Sequence, residues 1–314
     1  LAEDFPPYVI SMAQQSKKVT HPSVYGTHSK NSLTFVFPDG PKEKRFKVIY
    51  LLSHELFHSW LGSKLEIPLN LRHKYRWFFE GFTDYFGLQV AKEQGYITAQ
   101  EYADILNYHL EDYHSSFLSN LPNDLYGQAH HAGSINYNFI QTRGHLLAIH
   151  FQNLIKEKNL PTDTLVHFIK SLIADSSSNG QLSEEVFWNV FNTYFDNDFK
   201  TLVEKYIHNG AEIETPDIPV YSFIDKELGY IMPGFDIIES IKTLKITHLE
   251  TDSPAFIAGL ENNAVFLDFK TWVDQDGNEL FSVFVLKDEQ LKEIRFSPSK
   301  AAKKVRFIKV GTTN

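Results

Sequence analysis

Residues 54–58 read His54-Glu55-Leu56-Phe57-His58, and this run constrains the fold more than any other feature of the chain. Side chains four apart share one face of a helix, so both imidazoles reach a common point only if the segment is helical. The surroundings agree. Apolar residues recur at Val48, Leu52, Leu56 and Trp60, and Gly62 supplies a stop, so the spacing predicts a helix over 47–61. Two imidazoles on one face can hold a zinc ion. Glu55 lies one residue round from His54, close enough to take a proton from water at that ion without being a ligand.

A second segment completes the set. Trp77-Phe78-Phe79-Glu80-Gly81-Phe82-Thr83-Asp84-Tyr85-Phe86 falls on a helix expected over 75–94, with a stop at Gly95. Its aromatic surroundings make Glu80 a poor candidate for plain solvation. Two neutral imidazoles and one carboxylate make a three-ligand set that leaves a fourth position open. The expected ligands of one zinc ion per chain are therefore His54, His58 and Glu80, with Glu55 as general base. Asp84, one turn beyond Glu80, is placed to accept the outer N–H of a ligand histidine and so fix its tautomer.

The remainder divides into two parts of different character. Residues 1–219 hold 18 Lys/Arg and 25 Asp/Glu, a net of 18 − 25 = −7, and 13 of the 14 histidines; residues 220–314 hold 12 and 14, a net of −2. Between them the polar, proline-containing stretch 209–219 reads as a linker. The first part is mainly helical after a short strand over 33–37. A capping box at Thr98-Ala99-Gln100-Glu101 opens a third helix, and further helices are expected near 142–157, 163–175, 184–195 and 198–208. Ser176-Ser177-Ser178-Asn179-Gly180 reads as a loop. The second part carries short β-rich runs such as 245–249 and 306–310. The fold class is α+β: a mainly helical domain over 1–215, then a small β-rich domain over 220–314.

Several classes are disfavoured. A formal charge of −9 argues against nucleic acid or an anionic membrane surface as the main partner. No apolar run approaches the ~20 residues needed to span a bilayer. With no cysteine, disulfide scaffolds and thiol catalysis are out. The chain starts at Leu1 with neither methionine nor a signal-peptide pattern, as in a processed product. A periplasmic or secreted location follows if an export signal was removed, a cytoplasmic one otherwise.

The two zinc segments together resemble the gluzincin metallopeptidases, and within them the glycyl aminopeptidase family. The run Thr251-Asp252-Ser253-Pro254-Ala255-Phe256-Ile257-Ala258-Gly259-Leu260 resembles the Ser-Pro-Ala-x-x-Ala-Gly-Leu helix of the PDZ-like domain that often follows the catalytic domain in that family. The resemblance implies a thermolysin-like catalytic domain, zinc-dependent hydrolysis of peptide or protein substrates, and a PDZ-like domain that could bind a peptide. It also implies an oxyanion donor opposite the attacking water, for which Tyr137 is the nearest candidate in sequence. The chain departs from the family at four places. Only 53 residues precede His54, where relatives carry a large β-rich domain. Thr27, in Val24-Tyr25-Gly26-Thr27-His28, stands where relatives carry an acid, and an α-ammonium group needs a charged or strongly accepting partner. No tyrosine directly precedes Arg143-Gly144. Asn263-Ala264 replaces the usual Gly-Asp after the PDZ-like helix, near Leu228-Gly229-Tyr230, the stretch that could stand for a carboxylate-binding loop.

Other histidines read as structural. His109/His114 and His145/His150 are five apart, poor helical spacing for a shared metal, and His130-His131 reads as polar loop. Two rivals to a glycyl-type aminopeptidase stand beside it. One is an aminopeptidase N-like hydrolase, disfavoured by the absent Gly-x-Met-Glu-Asn pattern. The other is a non-catalytic zinc scaffold whose PDZ-like part recruits partners, disfavoured by the intact Glu55.

Overall fold

A computed structural model describes residues 7–14, 25–29, 31–37, 45–129, 138–179 and 181–311. Near the start, β1 (Val9–Gln14), β2 (Tyr25–Ser29) and β3 (Ser32–Phe37) form a small mixed sheet in the order β1-β3-β2. β3 pairs with β1 in parallel and with β2 antiparallel, which leaves β2 on an edge. Leu33 and Phe35, two apart, point to the same face and are buried.

The helical part begins with α1 (Arg45–Phe57) and α2 (Arg72–Glu93). It continues through α3 (Ala99–Ser115), α4 (Asn123–Ala129), α5 (Asn138–Glu157), α6 (Thr164–Asn179), α7 (Glu184–Tyr194) and α8 (Asn197–Val203). The Thr98/Glu101 capping box forms as expected, each side chain satisfying the other residue's backbone N–H. Phenylalanines dominate the core: Phe78, Phe82, Phe151, Phe168, Phe187, Phe191, Phe195 and Phe199 are buried together, mostly in edge-to-face contacts. Residues 176–179 belong to α6 rather than to a loop, and Ser177 satisfies its hydroxyl by donating to the Ile173 carbonyl one turn back.

Two helix crossings are unusually close. A Cβ on Gly144 of α5 would lie 1.8 Å from the Trp77 carbonyl oxygen of α2, and one on Gly81 would lie 2.4 Å from the Gly144 Cα. A Cβ on Gly87 of α2 would meet the Ser53 carbonyl carbon of α1 at 3.0 Å. Glycine at these positions lets backbone pack on backbone, and α2 is thereby pressed against both α1 and α5.

The last part holds β4 (Tyr221–Met232), α9 (Ile237–Thr243), α10 (Pro254–Ile257), β5 (Val265–Val273), β6 (Glu279–Lys287), β7 (Gln290–Phe296) and β8 (Ser299–Val310). β4 and β8 form a long antiparallel ribbon, and β5-β6-β7 form a meander. Two local expectations change here. Leu228, Gly229 and Tyr230 lie within β4, paired with Lys303, Ala302 and Ala301, and form no loop. Residues 245–249 make only one bridge, Lys245 to Val265, because Ile246 is drawn fully into the core. Asn263 takes φ of +63°, a left-handed conformation that asparagine tolerates where glycine is usual.

The last part packs on the helices. Phe117 stands edge-on to Phe269 and Phe281, and the Asn107 side chain exchanges two hydrogen bonds with the Ile308 backbone at 2.8 and 2.9 Å. Glu212 accepts from both His114 Nδ1 and Lys303 Nζ at 2.5 Å. These two donors outweigh the burial of the carboxyl and draw its pKa down to about 2.

Candidate metal centre

α1 ends at Phe57, short of the expected Leu61, and His58 follows in a turn with its N–H still on the His54 carbonyl at 3.3 Å. Where this end crosses α2, three donor atoms come to one point. His54 Nε2 and His58 Nε2 are 3.0 Å apart, and Glu80 Oε2 lies 3.5 Å from each. His54 and His58 are buried, and the Glu80 side chain is one-quarter exposed. Their other ring atoms are occupied. His54 Nδ1 donates to Asp84 Oδ1 at 2.7 Å, and His58 Nδ1 donates to the Leu61 carbonyl at 2.8 Å. Both neutral rings therefore carry their hydrogen on Nδ1 and turn the Nε2 lone pair inward, towards Glu80 and towards each other.

Two lone pairs at 3.0 Å beside a carboxylate repel unless a cation or a proton lies between them. A tetrahedral zinc ion with bonds of ~2.0–2.2 Å sets its ligands roughly 3.4 Å apart, close to the 3.0 and 3.5 Å found here. The residues fit the ion. Without one, a proton takes its place. Burial disfavours the charged His54 ring, but Asp84 and Glu80 prevail and lift its pKa to about 10. Burial likewise opposes ionisation of Glu80, and the hydrogen bonds of His54 and His58 outweigh it, holding the carboxyl well below its usual range.

Asp84 has no solvent exposure, and besides His54 it has partners the sequence did not suggest. Its Oδ1 also accepts from the Tyr50 hydroxyl at 2.5 Å, and its Oδ2 accepts from Gln141 Nε2 of α5 at 2.7 Å. Burial raises the Tyr50 pKa well above its usual value, reinforced by Asp84, so this hydroxyl remains a donor. Tyr50 precedes His54 by one turn; that spacing was the only available signal for it. Gln141 belongs to a segment whose residues do four different jobs. Arg143 is fully buried and donates to the Leu121 and Ser119 carbonyls and to Asn123 Oδ1, tying down the 119–123 turn. Gly144 makes the close crossing, and His145 is buried beneath Asp84.

Glu55 is buried one residue from His54, on the side crossed by β2. A Cβ on Gly26 would lie 2.6 Å from Glu55 Cγ and 3.1 Å from its Oε1. Glycine there allows the edge strand to lie directly on the carboxylate. The next residue, Thr27, is exposed, and the strand Tyr25–Ser29 contains no acid. Tyr137, expected near the oxyanion, and His130-His131 lie outside the described residues. His109, read from its helical spacing as structural, comes close to Asp84 from α3, with Nδ1 at 3.8 Å from Oδ2.

Residues 47–121, which span both ligand segments, match the family described as M61 glycyl aminopeptidase. The match covers 121 − 47 + 1 = 75 of 314 residues. No curated protein matches the chain. Among the described residues no helix is long and apolar enough to cross a membrane.

Proposed function

We propose that the chain is a zinc-dependent peptidase that hydrolyses peptide bonds, an aminopeptidase of the glycyl aminopeptidase kind. The observation that carries this reading is the convergence of His54 Nε2, His58 Nε2 and Glu80 Oε2 with Glu55 alongside. The partial family match supports it. On this reading residues 1–215 form a thermolysin-like catalytic domain and residues 220–314 a PDZ-like one.

His54, His58 and Glu80 would hold the ion, which supplies a Lewis acid that lowers the pKa of water towards neutrality. The protein's own groups do the rest. Glu55 accepts a proton from the attacking water and returns it to the leaving amine. Asp84 keeps the hydrogen of His54 on Nδ1, so the other nitrogen stays a ligand. Tyr50 and Gln141 hold Asp84 in that orientation. β2, an edge strand lying on Glu55, offers its backbone for an extended peptide to pair with.

One observation favours internal cleavage as a second reading: Thr27 and its neighbours on β2 offer no carboxylate to a substrate α-ammonium group. Digestion of a mixed peptide library, half with blocked N-termini, separates the two. Removal of single residues from free N-termini alone supports the aminopeptidase; cuts within blocked peptides support the second reading. Glu55→Gln should retain zinc and lower kcat by roughly 10²-fold or more. Turnover undiminished in Glu55→Gln would remove Glu55 from its role.

A further inference from the structure

We infer that Asp84, His109 and His145 form a second divalent-cation site, on the far side of the Asp84 carboxylate from His54. One ligand atom of each residue lies within 4.8 Å of the other two. The donors are again two imidazoles and one carboxylate, and they come from three different helices, α2, α3 and α5. Asp84 faces both clusters: Oδ1 meets His54 and Tyr50, whereas Oδ2 faces Gln141 and His109.

The independent observation is His145. It has no solvent exposure, and neither ring nitrogen has a hydrogen-bond partner in the structure; His109 Nδ1 is likewise unpartnered and buried. Buried ring nitrogens are nearly always satisfied, and two such rings gathered round a buried carboxylate supply the donors a cation needs. Burial keeps both rings neutral, the ligating form, with His145 drawn down to about 4. The rings of Tyr50 and Tyr85 pack against His109 and His145, and besides Asp84 the carboxylate of Asp112 acts on His109. His109 Nδ1 stands 3.8 Å from Asp84 Oδ2, so an ion between them would draw the two donors together by a few tenths of an ångström, with water completing its shell. Two imidazoles favour a first-row ion such as Co²⁺, Ni²⁺ or Zn²⁺ over Mg²⁺ or Ca²⁺. Such an ion cross-links α2, α3 and α5 and neutralises Asp84.

The test is metal content of the full chain, measured by mass spectrometry of the elements after equilibration with Co²⁺ and removal of free ion. The expected result is two ions per wild-type chain, one in His58→Ala, one in His145→Leu or His109→Phe, and none in His58→Ala/His145→Leu. His58→Ala removes only the first cluster, so an ion it retains reports the second directly. Its thermal midpoint should rise with Co²⁺. His109 is partly exposed, which makes His109→Phe a second route should His145→Leu not fold. The inference is overturned if His58→Ala holds no ion, as when a buried water satisfies His145, or if both histidine variants hold as many ions as wild type. The zinc-peptidase reading is judged separately, by peptide hydrolysis in wild type and Glu55→Gln.

Discussion

Gly144→Ala sets two physical effects against each other, and the structure decides the sign. Gly144 lies inside α5, where alanine is favoured over glycine by about 1 kcal/mol. Helix propensity alone therefore predicts a more stable protein. Against it stands the crossing with α2: the new methyl would lie 1.8 Å from the Trp77 carbonyl oxygen, 2.7 Å from its carbon and 3.0 Å from Gly81 Cα. Ordinary contact begins near 3.4 Å, so the helices must part by 3.4 − 1.8 = 1.6 Å. Both sides of this contact are helix backbone, which has no rotamer to give. Overpacking typically costs about 1–3 kcal/mol, and rigid partners place this case at or above the upper end. The net effect is a loss of about 2 kcal/mol. For a chain of 314 residues that lowers Tm by about 4 °C, at the shallow end of the usual range. Parting α2 from α5 also pulls Gln141 from Asp84 and loosens the support of His54. Thermal unfolding with excess chelator, then with zinc, measures both consequences. Gly81→Ala strains the same crossing, so the double variant should lose less than the sum of the two singles. A Tm for Gly144→Ala equal to or above wild type would refute the close crossing, because propensity would then have prevailed.

Three other outcomes follow from the site. Asp84→Asn keeps the shape but removes the ionised acceptor of the His54 hydrogen; zinc affinity, read by chelator competition, should fall about 10–100-fold. Gly26→Ala pushes on the Glu55 side chain at 2.6 Å; kcat should fall roughly 10-fold or more while zinc content and Tm stay near wild type. Zinc uptake should depend on pH in a defined direction. The metal-free His54 is protonated below its raised pKa of about 10, so each bound ion displaces about one proton, and affinity should tighten about 100-fold from pH 7 to pH 9. The same shift means that the charged His54–Asp84–Glu80 pairing stabilises the metal-free protein fully below about pH 6.5 and is lost as pH rises through 10. Proton release in weak buffer measures the stoichiometry, and an affinity unchanged with pH would refute it.

Sequence periodicity exposed those parts of the centre that depend on spacing along one helical turn. His54 and His58 are four apart, and Glu80 and Asp84 repeat that interval, so each pair was readable before any contact was known. Parts that depend on a crossing were not readable. Gln141 meets Asp84 only because α5 lies backbone-to-backbone on α2, and Gly26 meets Glu55 only because β2 runs as the edge of its sheet across α1. Helical spacing fails in the same way for His109 and His145. Each has another histidine five residues along its own helix, whereas its neighbour in space belongs to a different helix. In the last part, the strand expected over 245–249 gave way because burying Ile246 against the rest of the core outweighed local β preference.

The same crossings explain why one carboxylate anchors so much. Asp84 sits in mid-helix, between Gly81 and Gly87, the two points where α2 touches α5 and α1. At those points the neighbouring helices come close enough to offer Tyr50 and His54 from one side and Gln141 and His145 from the other. An alanine at either glycine would move a donor that Asp84 uses. The glycines and the aspartate thus act as one unit, and variants at these three positions should show coupled, non-additive effects on metal affinity.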